Sequence, residues 1–245
     1  MFSQYFQKMK DLIDLVEQEE QEKIKAAAQK AAQCIQKDGV IHVFGCGHSH
    51  MFGEELFYRA GGLAAINPIF IEKLMLHHGA VRSSQLERKN GLAQEFMSEV
   101  DIQPNDLFIV NSTSGRNPVP IDVAEIAKNQ GAFVIVITSL SYAGAQPSRH
   151  KSGKYLYQMA DLWIDNHIEM GDALMEHESY PTPFGPGSTI IGMTILNAMM
   201  VEAIDIMIEN HFDPPIFKSG NIDGSDEHNQ KLIEKYKKRI PTLDL

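Results

Sequence analysis

Five short runs rich in β-branched and apolar residues alternate along this chain with stretches of helical period, and that alternation restricts the fold more than any single motif. The runs are Val40 to Phe44, Leu63 to Ile71 (interrupted by Pro68), Leu107 to Asn111, Phe133 to Thr138 and Leu162 to Asp165. Helical patterns lie between them at Met51 to Ala60, Gly91 to Val100 and Val119 to Asn129. A strand followed by a helix and then another strand makes a crossover unit, and successive crossovers build a parallel sheet covered on both faces. The expected fold is α/β: a three-layer, doubly wound, five-stranded parallel sheet in flavodoxin-like order.

Ahead of the sheet, Phe6, Met9, Ile13, Val16, Ile24, Ala27, Ala31 and Ile35 recur at helical spacing, which predicts a long amphipathic helix over about 1–37 that stops at Lys37-Asp38-Gly39. After the last strand, "YPTPFGPGST" (180–189) reads as an ordered, non-helical connector, and it feeds an apolar helix from Ser188 to about Asn210. The polar segment "FKSGNIDGSDEHN" (217–229) then leads to a short charged helix ending near Arg239, so that a tail occupies about 212–245. No internal repeat or low-complexity linker divides the chain, and residues 1–245 read as a single domain.

The formal charge of −10 argues against nucleic acid or an anionic membrane surface as the main partner, yet it leaves room for a local basic patch that holds one small phosphorylated molecule. Cys34 and Cys46 are too few for a disulfide framework and fit a reducing compartment. No stretch resembles a signal peptide and no apolar run is expected to span a membrane, so the expectation is a soluble cytoplasmic protein.

A sheet of this type binds ligands at its carboxyl edge, where strand order reverses. In flavodoxin-like order the first and third strands are neighbours whose helices leave on opposite faces. The loops after them are Gly45-Cys46-Gly47-His48-Ser49-His50 and Ser112-Thr113-Ser114-Gly115-Arg116-Asn117. Each offers small hydroxyl residues and backbone N–H groups at a helix start, a pattern that holds phosphate without a dedicated cluster of cations. A dinucleotide fingerprint fares worse, because His50 stands where its third glycine belongs and Ile66-Asn67-Pro68 lacks the acid that usually ends its second strand. Neither loop is followed by Gly-Lys-Ser/Thr, and Ser49, followed by His50 and Met51, is no nucleophile elbow.

The paired loops and the Ser-Thr-Ser-Gly stretch resemble the sugar isomerase (SIS) domain, a family that includes phosphoheptose isomerases and muramic acid phosphate etherases; the resemblance covers about residues 35–210. It implies that Ser112, Thr113, Ser114 and Asn117 hold a sugar phosphate, with Gly47, His48 and Ser49 contacting the sugar or its phosphate and Arg116 available as a charged contact. It also implies a glutamate in the helix after the first loop, where Glu54 and Glu55 stand, as base for aldose–ketose proton transfer. Phosphoheptose isomerases carry a histidine on the helix after the last strand; the helix from Ser188 has none before His211, which leaves His228 as the alternative acid. Glu87, in "SSQLERKNG", is another candidate base, since etherases of the family use a carboxylate ahead of the third strand, and Glu178 is a further one.

Cys46, His48 and His50 alternate in the first loop with His77-His78 further on, a pattern that also fits a soft metal, but the reading adopted needs no metal and no cofactor. The expected function is binding of a phosphorylated sugar or amino sugar and its isomerisation by proton transfer, against alternatives of a non-catalytic phosphosugar sensor or an etherase or deaminase. The first helix needs an apolar partner, and in proteins resembling this one that partner is another subunit, so a homodimer or homotetramer is expected.

Overall fold

In a computed structural model that describes residues 1–244, the chain is a five-stranded parallel sheet between two helical layers. The strands are β1 (Ile41–Gly45), β2 (Ile66–Pro68), β3 (Leu107–Asn111), β4 (Phe133–Thr138) and β5 (Leu162–Asp165), in the order β2-β1-β3-β4-β5. Along β3, Leu107 and Ile109 face a core formed with α1 (Phe2–Gln36) and α6 (Ser188–Glu209), and Phe108 and Val110 face a second core. The second core is completed by α4 (Ala93–Met97) and α5 (Pro118–Asn129). This two-sided burial is why the strands read as continuous apolar runs.

β2 keeps three residues of the longer run expected there. Pro68 has no N–H to give a neighbour, and the edge position of β2 tolerates this, since only β1 pairs with it. The helix after the first loop, α2 (Met51–Leu56), is shorter than the pattern 51–60 because Phe57 turns extended and Tyr58 takes a φ of +43°. A further helix, α3 (Ala80–Leu86), lies in the segment between β2 and β3.

"YPTPFGPGST" is not merely a connector. Its first half is β7 (Tyr180–Phe184), which pairs antiparallel with β6 (Met175–His177) in a hairpin outside the main sheet. All five β7 residues are exposed, and a two-stranded ribbon is all edge, so the alternate prolines Pro181 and Pro183 forfeit no ladder bond to the main sheet. The Tyr5 hydroxyl on α1 donates to the Pro186 carbonyl just after β7. α6 also departs from expectation, being long and apolar enough to cross a membrane, with a mean hydropathy of 1.7 over its most apolar window. In the fold it packs along α1 and buries Ile191, Ile195, Met199 and Ala203.

The polar tail ends in α7 (Ser225–Tyr236), and Arg239 beyond it closes the amino edge of the sheet. Its guanidinium donates to Asp106 Oδ2 at 2.6 Å, and the same carboxylate accepts the Val40 and Gln103 N–H groups and pairs with His42. Asn67 from β2 completes the buried set through His42 Nδ1.

Candidate functional site

Gly45 at the end of β1 lies in register with Asn111 at the end of β3, so the two loops predicted to converge leave the sheet side by side. The first loop makes one 3-10 turn (Gly47–His50) and folds back onto its own strand: a Cβ on Gly45 would lie 2.3 Å from the Ser49 carbonyl oxygen. In the second, Gly115 has a φ of +56°, and a Cβ there would lie 2.6 Å from Thr138 Oγ1. Both glycines are thus fixed by close approach. α2 leaves on the α1/α6 side and α5 on the other, the arrangement that strand order requires for a crevice between the two loops.

Ser112 is buried, and Thr113 and Ser114 are half-buried at the crevice. The Thr113 carbonyl accepts from Ser139 N, while the Thr113 and Ser114 N–H groups make no hydrogen bond among the described residues. The start of α5 contributes less than expected. Its first three residues are Pro118, Val119 and Pro120; the prolines carry no N–H, and Val119 N donates to the Glu87 carbonyl. The cradle is therefore the loop itself, with no open donors from the first helical turn. Asn111, fully buried beneath it, has both atoms of its side-chain amide without a partner among the described residues.

Glu87, one residue past α3, stands between the loops. Its half-buried carboxyl is raised above the ordinary glutamate range by desolvation, which the Asn117 side-chain hydrogen bond and the Arg149 and Arg88 cations partly oppose. Cys46 of the first loop feels the Glu87 charge, and burial first and that charge second push its thiol well above the usual range. On the far side, Arg149 Nη1 donates to Asn117 Oδ1 at 2.8 Å.

The remaining predicted residues divide. His48 is exposed and Ser49 half-buried at the crevice. His50 turns inward, bonding the Gly47 carbonyl through Nδ1 and placing Nε2 3.3 Å from Glu54 Oε1. Glu55 points toward α6, where it pairs with Arg59 and accepts a bond from Asn197 Nδ2. Arg116 reaches away from the hydroxyls to the Pro147 carbonyl and Gln146 Oε1. His228 lies on α7, with Nε2 bonded to the Ile216 carbonyl. Ile216 bridges Leu63, just ahead of β2, so within one chain His228 sits at the amino edge, far from both loops. Glu178 is in the exposed hairpin turn. No three metal-ligating side chains come together among the described residues, and the His50 and His77 rings lie 6.1 Å apart.

Arg149 and Arg88 were not among the residues expected at the site. For Arg149 the signal was the basic run "SRHKSGK" after β4, the strand beside β3, whose loop must adjoin the second loop; Arg88 lies in the quoted stretch "SSQLERKNG" next to Glu87.

Residues 4–139 match the SIS domain. Over 243 residues, spanning 99% of this chain and 98% of the relative, the sequence is 61% identical to a UPF0309 protein of Geobacillus sp. (strain WCH70). It is 53% identical over 245 residues, 100% of this chain and 99% of the relative, to one of Listeria monocytogenes serotype 4b (strain CLIP80459). Among solved structures, a phosphoheptose isomerase from Neisseria gonorrhoeae shares the fold with a TM-score of 0.55 and 18% identity, covering 83% of this chain and 97% of that one.

Proposed function

The chain belongs to the SIS-domain family, a phosphosugar-binding superfamily, and from that premise we propose that it holds a phosphorylated sugar or amino sugar between its two loops and isomerises it by proton transfer. Ser112, Thr113 and Ser114 with the loop amides take the phosphate. Ser49 and His48 meet the sugar from the opposite wall. The observation that carries the reading is Glu87, a half-buried carboxyl raised above its ordinary range and set between Cys46 of one loop and Asn117 of the other.

Glu87 takes the proton from the carbon beside the sugar carbonyl and returns it to the former carbonyl carbon. The hydroxyl proton moves to the other oxygen through Ser49 or His48, so atoms balance without any added reactant. Glu55, engaged by Asn197 and Arg59, serves as a positioning residue that fixes α2 and the loop before it.

The groove of ≈ 310 Å³ between α1 and α6, lined by Ile13, Val16, Ile24, Ile191 and Ile195, lies away from the loops and supports assembly with further copies through these helices. Phe2 and Phe6 on α1 and Ile190 on α6 are exposed apolar side chains on the same two helices. With Cys34 and Cys46 buried as free thiols, the cytoplasm is the proposed compartment.

The test is thermal stabilisation by a panel of sugar phosphates, followed by exchange of substrate C–H for solvent deuterium. Stabilisation that disappears in Ser112→Ala/Ser114→Ala, with exchange that disappears in Glu87→Gln, supports the proposal. Binding without exchange in the wild type shifts it to a sensor, and no binding by any sugar phosphate overturns it.

A further inference from the structure

Three guanidiniums gather on the α5 side of the crevice in a chain whose net charge is −10. Arg116 is held by the Pro147 carbonyl and Gln146 Oε1, and Arg149 by Asn117 Oδ1, all of them neutral acceptors. Arg88 follows directly on Glu87, and its side chain makes no hydrogen bond in the described fold. The cluster is built rather than incidental. Arg149 N donates to the Arg116 carbonyl at 2.9 Å, and Asn90 Oδ1 accepts Lys151 N. Between these two residues, buried His150 is pinned to Asp122 at 2.9 Å and to Ser152 Oγ at 2.7 Å. Residue 149 is thus fixed from both sides. Partial desolvation, followed by repulsion from Arg116 and Arg88, lowers the Arg149 pKa from its ordinary value; Glu87 is the one acid that opposes this. Like charges held together on neutral acceptors gain most when an anion arrives.

The position of the cluster determines what that anion belongs to. Arg116 reaches away from the hydroxyls of Ser112 to Ser114, and Glu87 stands beside Asn117, which carries Arg149. A ligand whose phosphate lies on the hydroxyl loop and whose reacting carbon meets Glu87 has its far end toward Arg88 and Arg149. The geometry points to a second anion subsite formed by Arg88 and Arg149 with Arg116 behind them, and hence to a doubly anionic substrate: a phosphosugar that bears a second phosphate or a carboxylate. This rests on the reading of the two loops as the phosphosugar site.

The experiment is calorimetric titration of the full-length protein with fructose 6-phosphate, fructose 1,6-bisphosphate and 6-phosphogluconate, repeated for Arg88→Gln and Arg149→Gln. At least one doubly anionic probe is expected to bind about tenfold tighter than the monophosphate, as a charge-assisted arginine contact allows, and the probe that gains identifies the second group as phosphate or carboxylate. Each substitution is expected to remove most of that gain while changing the monophosphate Kd less than about twofold. Equal weakening of all three ligands would show that the arginines hold the single phosphate, and doubly anionic probes no tighter than the monophosphate would show no second subsite; either overturns the inference alone. If the monophosphate itself fails to bind, the reading of the loops falls with it. Arg88 makes no side-chain hydrogen bond in the described fold, so Arg88→Gln keeps the test valid even if Arg149→Gln disturbs the loop.

Discussion

Asn197, midway along α6, donates a 2.8 Å hydrogen bond to the Glu55 carboxylate on α2 and so ties the helix after the first loop to the layer that carries the apolar groove. The bond is partly buried and charge-assisted, whereas the Arg59 partner of Glu55 is half in solvent. Asn197→Ala is expected to lower stability by about 1–2 kcal/mol in urea denaturation. An unchanged midpoint would show that the tie contributes nothing.

Glu87→Gln separates binding from chemistry. Loss of the proton acceptor should reduce exchange about 10²- to 10⁴-fold while sugar phosphate binding persists. The same substitution carries a pH signature. A carboxyl whose folded-state pKa is raised contributes stability that is fully present below its unfolded pKa and lost as pH rises through the folded pKa. Gln does not ionise, so the variant should melt higher than wild type at pH 7 and show little gain at pH 4. A larger gain at pH 4 would contradict the raised pKa.

Gly115→Ala tests the backbone of the second loop. The new methyl would meet Thr138 Oγ1 at a φ of +56°, and a strained left-handed residue with a clash costs about 1–3 kcal/mol. Ligand-induced stabilisation should vanish with it, since the cradle cannot keep its shape. A variant with wild-type melting and wild-type ligand response would show that the turn relaxes freely.

At the opposite edge, hydrogen bonds from His42, Val40, Gln103 and Arg239 outweigh burial and hold Asp106 down from 3.8 to about 2. A depressed carboxylate contributes stability above its unfolded pKa that is lost as pH falls toward the folded one. The shift corresponds to about 2.5 kcal/mol at neutral pH. Asp106→Asn should therefore destabilise the protein at pH 7 and flatten its acid unfolding between about pH 4 and pH 2. A parallel acid transition in the variant would assign acid sensitivity elsewhere.

Assembly is tested by light scattering at micromolar concentration, with a dimer or tetramer expected. Ile13, which lines the α1/α6 groove, should break it when changed to Asp without unfolding the chain. A monomeric wild type would leave the α1/α6 face without a second copy on it.

The strands β3, β4 and β5 were legible to the residue because burial on both faces makes a strand apolar throughout. The loops after β1 and β3 were legible as strand-to-helix turns because glycines and small hydroxyl residues mark such turns. β7 was not, since Pro181 and Pro183 argue for a connector unless the strand lies outside the sheet. Nor did the sequence separate Glu54 from Glu55, which it placed ahead of Glu87 as the base. In the fold Glu54 lies against His50 and Glu55 is engaged by Asn197 and Arg59, partners that only the packing of α2 against its own loop and α6 determines.

Pro118 and Pro120 have one more consequence. With two donors removed from the first turn of α5 and a third occupied, the proposed phosphate cradle consists of hydroxyls and loop amides, neutral dipoles that hold no counterions to release when a ligand docks. The arginine rim is the opposite: an exposed cationic surface whose attraction is screened over about 10 Å at 0.1 M salt. On the proposed placement, rising ionic strength is expected to act unequally on the two ends of one ligand, loosening the grip at Arg88 and Arg149 while the phosphate end stays held.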